Sequence, residues 1–159
     1  MTAASLWDWA RAAYAAPGVE AACLELQDAH GQNVPLLLWA AWTASMGVPC
    51  SQEDLEAACD TARAWDEAAV APLRAVRRTL KAPLPDIDDQ DRLSVRAQVK
   101  AVELEAEKRL LAALEAVCPM AAQTGPPQPA LDGMVAAARA WSPVTPRPGL
   151  IRLAERLPA

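Results

Sequence analysis

The stretch "VPLLLWAAWTASMGV", residues 34 to 48, constrains the fold more than any other. It carries no charge, and its apolar side chains surround a helical axis at nearly every angle. A helix that is apolar all round has to be covered on all sides, so the stretch predicts the central, buried helix of a larger assembly. Asn33 is placed to cap its start, Pro35 is tolerated in its first turn, and Gly47 and Pro49 end it. The run contains Thr43 and Ser45 and is too short to span a bilayer.

The rest of the chain supplies the cover. Ser5-Leu-Trp-Asp8 reads as a capping box with an acid at its third position, opening a first helix that runs to about Ala16 and stops at Pro17-Gly18. Val19, Ala22, Cys23 and Leu26 mark one face of a second helix, and Gly31 is placed to cap its end. Ser51-Gln-Glu-Asp54 is a second capping box. Behind it Leu55, Ala58, Ala62, Trp65, Ala69, Leu73, Val76 and Leu80 keep helical spacing, and Pro72 should kink or split that helix. "KAPLPDIDDQD", 81 to 91, is a linker. A helix over about 89–117 follows, with Val95, Val99, Val102, Ala106, Leu110, Ala113 and Val117 as its core stripe, closed by Cys118-Pro119. "PMAAQTGPPQP" reads as a loop, Leu131 to Trp141 as a short helix, "SPVTPRPG" as extended chain, and Leu150 to Leu157 as a last amphipathic turn or two.

Strand signals and internal repeats are absent. The expectation is an all-α, single-domain helical bundle of about five main helices over residues 1–118. An irregular Pro-rich C-terminal tail, 119–159, is expected to be loosely packed on it or to extend from it.

A chain of 159 residues is long enough to bury about 70% of its unfolded surface. With 53% hydrophobic and 22% charged residues it belongs with globular proteins rather than disordered ones. The formal charge of −5 gives no bulk support to a nucleic-acid or anionic-membrane partner. The charge is uneven: residues 1–118 hold 11 basic and 18 acidic side chains, net −7, and residues 119–159 hold 4 and 2, net +2. The four cysteines form no CxxC pair and have one histidine to join them, so no metal centre is expected. Cys23, Cys59 and Cys118 fall at helical core spacing, where a thiol acts as a small hydrophobe. No basic residue precedes Leu6, so no signal peptide is expected and the cytoplasm is the expected compartment.

Three groups of side chains are candidates for function. On the helix over 89–117, Arg96, Lys100, Glu103 and Glu107 lie between the valine stripe and a second stripe of Leu93, Leu104 and Leu111. Carboxylates so placed are half buried and need partners. Arg77, with Arg74 beside it, is expected to meet Glu103 or Glu107 across the helix interface. A di-iron site would need two histidines and Glu-x-x-His motifs that the chain lacks. The second group, Gln27, Asp28, His30 and Asn33, surrounds a tight turn. Asp28 has the position to orient His30 as a base, but no GxSxG or comparable nucleophile motif accompanies it, so the main expectation is a structural turn. The third group is aromatic. Trp39 and Trp42 share a helix face with each other. Trp7 and Trp9 are two residues apart and cannot both enter one core, so one of them should be exposed or touch another element.

The blocks "LWDWARAAYAAPGVEAACLELQDAHGQNVPLLLWAAW", "APLRAVRRTLK" and "VKAVELEAEKRLLAAL" resemble, in that order, an uncharacterised family of proteobacterial proteins about this long, a domain of unknown function of the DUF2390 kind. The resemblance covers residues 5 to 117. Trp7, Tyr14, Pro17, Gly18, Cys23, Leu26, Gln27, Asp28, Gly31, Trp42, Pro72, Arg74, Glu103 and Glu107 fall on positions that match its pattern. It implies a small cytoplasmic bacterial protein with no assigned reaction, cofactor or partner.

Two functional expectations follow. The first is a non-enzymatic helical interaction domain that binds a protein partner or a second copy of itself through exposed Trp, the Arg74–Lys81 surface or the tail. The alternative is a small-ligand or enzymatic domain, its pocket lined by Trp39, Trp42 and Tyr14, with Gln27, Asp28, His30 or the Arg–Glu cluster as polar groups. No catalytic residue and no cofactor is assigned. DNA binding would rest on Arg74, Arg77, Arg78 and Lys81 alone, against the net charge.

Overall fold

The structure, a computed structural model, describes residues 4–118 and 125–158. Its helices are α1 (Leu6–Ala15), α2 (Val19–His30), α3 (Val34–Ser45), α4 (Gln52–Trp65), α5 (Ala71–Thr79), α6 (Asp89–Glu115), α7 (Ala130–Trp141) and α8 (Arg147–Arg156). One wide π-helical turn, Asp66–Val70, joins α4 to α5. The fold is an all-α bundle, without a strand among the described residues.

α3 is its centre. Every residue from Leu36 to Thr43 is buried, and Trp39 and Trp42 are each 1% exposed. α1, α2, α4, α6 and α7 all pack on it, as an all-round apolar helix requires. The predicted caps form: Asn33 Oδ1 accepts from the Leu36 amide at 3.0 Å, and Ser51 and Asp54 satisfy each other's backbone reciprocally. Gly31 ends α2 in the left-handed conformation at φ 62°. Pro72 splits its helix as expected. It cannot donate to the carbonyl four residues back, and the π-helical turn widens there, the Ala71 amide reaching Asp66 instead.

The C-terminal part is no loose tail. Met134, Ala137, Ala138, Leu150 and Leu153 are fully buried and belong to the same core cluster as α3. α7 comes so close to α3 that a Cβ on Gly133 would meet the Ala40 carbonyl oxygen at 2.7 Å, so the crossing depends on glycine. "SPVTPRPG" is only partly extended: Arg147, Pro148 and Gly149 form the first turn of α8. Of the loop expected over 119–129, residues 119–124 lie outside the described residues.

The second correction concerns α6. Its C-terminal half enters the core through Leu110, Leu111 and Leu114, but Val95 and Val102, placed in the predicted core stripe, are 51% and 53% exposed. The N-terminal half packs chiefly on α5, which buries no residue of its own, and the two form an arm. The side of α6 that turns inward there is the charged one, with Arg92 and Glu103 buried. It holds that position because Arg92, Arg96 and Glu103 find partners across the interface. Arg92 donates to the Leu80 and Lys81 carbonyls at 2.7 and 3.1 Å, and Arg96 to the Arg77 carbonyl at 3.3 Å. These bonds satisfy the C-terminal carbonyls of α5 that its own helix leaves open.

Candidate functional site

A half-open cavity of about 360 Å³ lies where α1, α2, α3 and α6 meet. Three side chains at i, i+4 and i+7 on one face of α1 contribute: Trp7, Arg11 and Tyr14. Val34, Pro35 and Leu38 from the start of α3 and Leu104 and Leu111 from α6 supply an apolar floor and wall. Gln27 and Glu107 join Arg11 and Tyr14 as the polar groups. The α3 residues are fixed there by the Asn33 cap, which directs the first apolar turn of the helix toward the junction.

Glu107 is the distinctive member. Arg74 lies 3.8 Å from it, and it receives no hydrogen bond among the described residues. Burial and the neighbouring Glu103 carboxylate raise its pKa above the ordinary carboxylate range, and Arg74 and Arg77 offset part of this. Glu103 takes most of the available cation. Arg77 grips it through Nε at 2.5 Å and a guanidinium NH2 group at 3.3 Å, and Arg74 Nε stands at 3.6 Å. The hydrogen bond from Arg77 to Glu103 raises the pKa of the guanidinium in turn. The Arg–Glu pairing expected from the sequence therefore forms, with Glu103 as its closed part and Glu107 as the part that faces the cavity.

The opposite wall is aromatic. Tyr14 is 38% exposed as a residue, while its hydroxyl is desolvated beside the Cys23 thiol and its pKa is raised well above the usual phenol range. The Cys23 thiol is itself pushed up to about 11, chiefly by burial. At the mouth, the Trp7 ring has Arg11 at 6.0 Å and Lys108 at 5.6 Å from its centroid, each at cation–π range.

The remaining candidates lie elsewhere. Trp42 is sealed in the core. Trp39 is buried too, and an edge of it borders a second hollow of about 340 Å³ between α3, the start of α4 and α7. The expected Trp39–Trp42–Tyr14 pocket is thus replaced by one with Trp7 and Tyr14, because a helix apolar all round leaves no Trp face over for a cavity. Trp9 is half buried against the core. Asp28 does not orient His30: it accepts from Gln27 at 3.1 Å and from Arg78 at 2.5 Å. These bonds, Gln27's first, lower its pKa. His30 is exposed and hydrogen-bonds nothing among the described residues. The turn is secured by Gly31, whose carbonyl accepts from the Trp141 indole at 2.9 Å, with Arg63 stacked 4.3 Å over the Trp141 ring. Arg11, Val34, Pro35 and Leu38 were not singled out in the sequence. The Trp7–Arg11–Tyr14 spacing was the signal for Arg11, and the stripe of Leu104 and Leu111 beside Glu107 was the signal for the α6 wall.

Fold and site together define a helical bundle with a half-open, mainly apolar cavity and a partly buried carboxyl on its wall. A family model described as a protein of unknown function (DUF2390) matches residues 5–114, and the chain belongs to that family. All the cavity-lining residues fall within the matched segment, and α7 and α8 lie beyond it. No curated protein and no solved structure matches the chain. Among the described residues no helix is long and apolar enough to cross a membrane.

Proposed function

We propose that this protein is a binding module that holds a small, mainly apolar molecule with one polar end in the cavity between α1, α2, α3 and α6. The observation that carries the reading is Glu107. Its carboxyl is partly buried on a mainly apolar wall and has a raised pKa, its side chain keeps 31% exposure, and Arg74 at 3.8 Å is its nearest cation, so its oxygens are open to a partner in the cavity. A ligand whose hydroxyl, amide or amino group reaches Glu107, with its aromatic or alkyl body between Trp7, Leu38 and Leu111, would be held at both ends. The volume and lining suit such a molecule. The proposal is of binding without turnover. A cytoplasmic setting completes it, in keeping with the use of Cys23 and Cys59 as buried free thiols; fractionation of cells expressing the tagged chain checks that part.

The test is a thermal-shift screen, followed by calorimetry, with aromatic and branched-alkyl alcohols, amides and amines, each beside the same body without its polar group. The expected result is a saturable rise in Tm for a subset of the polar members. That rise should be abolished by Leu104→Trp, which fills the mouth from a half-exposed position. Binding that survives Leu104→Trp unchanged, or a screen in which no polar member outperforms its apolar body, would sink the reading.

A second reading, a surface for a protein partner or a second copy, is favoured by one observation. The α5–α6 arm leaves Val76, Leu93, Val95, Val102 and Leu104 exposed, and apolar side chains that form a patch on one element mark a contact surface. Light scattering over a range of concentrations tests self-association. A monomer at every concentration, unchanged by Val102→Glu, would remove the second-copy form of this reading.

A further inference from the structure

The loop between α3 and α4 carries Cys50, and the C-terminal end of α6 carries Cys118. They are 68 residues apart in sequence, yet their sulfur atoms stand 2.7 Å from one another. A disulfide bond is about 2.05 Å long, so the two thiols need only a small adjustment to bond. Cys50 is exposed and Cys118 is buried. A pair so arranged has one sulfur that a reagent can reach and one that only its neighbour can reach. Cys23 and Cys59 are both buried.

We propose that Cys50 and Cys118 form a reversible intramolecular disulfide, a redox-sensitive latch across the α3–α4 loop and the end of α6. The oxidant is a low-molecular-weight disulfide. The Cys50 thiolate attacks one of its sulfurs, the S–S bond breaks, and one thiolate leaves, giving a mixed disulfide on Cys50. The Cys118 thiol then loses its proton, attacks the Cys50 sulfur and expels the second thiolate. Two protein thiols and one small disulfide become one protein disulfide and two small thiols, and the reverse exchange with excess small thiol reopens the latch. Cys118 is buried against the Cys50 sulfur, which makes it the resolving thiol; burial and the adjoining Cys50 also raise its pKa, which disfavours its thiolate as the first attacker. The Asp54 carboxylate beside Cys118 also disfavours its thiolate, and the small thiolate expelled in the first step takes up the proton that Cys118 releases.

The position gives the latch a consequence. The same loop anchors the chain again beyond Cys118: the Gly125 amide donates to the Gly47 carbonyl at 3.3 Å, and the Gln128 amide to the Ala44 carbonyl at 2.8 Å. Both flanks of residues 119–124 therefore sit on the end of α3 and the α3–α4 loop. A covalent bond at Cys50 would fix the junction where the family-matched segment passes into α7 and α8, which complete the core.

The experiment uses the full-length protein incubated with glutathione disulfide, then denatured and alkylated for mass analysis. The expected product has two alkylated cysteines instead of four, a Cys50–Cys118 cross-link in the peptide map, and full return to four after reduction. Closing so long a loop at a site already in near-bonding geometry should raise Tm by roughly 5–15 °C. Cys50→Ser, at an exposed position, should fold normally and lose both the cross-link and the Tm rise. Four alkylated cysteines after oxidation, a stable glutathione adduct on Cys50, a dimer linked through Cys50, or a cross-link that lowers Tm would each overturn the proposal.

Discussion

α3 and the α5–α6 arm solve the problem of an inward-facing surface in opposite ways. Around α3 the interior is mainly apolar, and Trp39, Trp42, Leu36, Leu37, Met134 and Leu150 exclude water by packing, the Trp39 indole N–H being left without a hydrogen bond among the described residues. In the arm the inward surface is Arg74, Arg77, Arg92, Arg96 and Glu103, and the apolar stripes are left outside. The first arrangement is held by area and close packing, which are non-directional. The second is held by bonds that each require one geometry. A region of the first kind tolerates little change of volume, and one of the second kind little change of charge. The cavity lies on the boundary between them. Its floor is the N-terminal turn of α3, and its partly buried carboxyl, Glu107, belongs to the charged stripe of α6.

The largest effect should come from the centre. Trp42→Ala deletes a fully buried indole from a core that cannot collapse on all sides, and should cost about 3–5 kcal/mol, read by urea denaturation. A loss below about 1 kcal/mol would mean that α3 is not rigidly enclosed, and the contrast with the arm would disappear.

Glu103→Gln probes the other side. Removing the charge leaves Arg77 without its anionic partner and Arg74 with Glu107 alone, at a half-buried interface. Breaking a buried pair costs roughly 3–5 kcal/mol, and the Arg77 and Arg74 side chains retain 24% and 15% exposure, so about 2 kcal/mol is expected here. Charge should matter here more than volume. The double variant Glu103→Leu with Arg77→Leu should therefore recover most of the loss, and a double variant as unstable as the single one would contradict that distinction.

That contrast also explains what the sequence made legible. The α3 run, the Ser51–Asp54 capping box, the Gly31 stop and the break at Pro72 follow from local rules, and each appears where those rules put it; the box expected at Ser5–Asp8 forms only in part, because the Asp8 carboxylate meets the Ser5 hydroxyl rather than its amide. The pairing of Arg77 and Arg74 with Glu103 and Glu107 was legible too, because charges between apolar stripes demand partners. What failed was the choice between stripes on α6. Periodicity finds Val95 and Val102 on a common face but cannot say whether anything lies opposite, and here α5 ends the cover early. The packing of α7 and α8 was hidden for a related reason: prolines suggested a tail, while Gly133 owes its role to a helix crossing that no local pattern encodes.

Glu107→Gln sharpens the boundary between the two regions. The folded pKa of Glu107 is raised above its ordinary 4.5, so the folded state binds its proton more tightly than the unfolded state does. The stabilisation from that proton is complete below pH 4.5 and is lost as pH rises through the folded value. At neutral pH the charged side chain is therefore a burden, lessened by Arg74. Glutamine in its place should stabilise the protein by a few tenths to about 1 kcal/mol at pH 7. It should also flatten the part of the stability–pH curve that rises on acidification above pH 4.5. Tm measured from pH 7 down to 5 checks both. Destabilisation at pH 7 would mean that the Arg74 contact outweighs desolvation, and the cavity would lose its unmet group.

The smallest effect is expected at the turn that joins α2 to α3. His30 is exposed there, while the structural work falls to neighbours: the left-handed Gly31, the Asn33 cap and the Trp141 indole on the Gly31 carbonyl. His30→Ala should change stability by no more than about 0.5 kcal/mol, as for other exposed positions. Trp141→Phe keeps most of the ring but strands the Gly31 carbonyl and weakens the stack with Arg63, so about 1 kcal/mol is expected. The order of the two variants decides the point. If His30→Ala were the more damaging, the imidazole would be holding the turn and its exposed position would need another explanation. If Trp141→Phe is, the turn between α2 and α3 is fastened from α7, outside the family-matched segment, and its histidine takes no part in holding it.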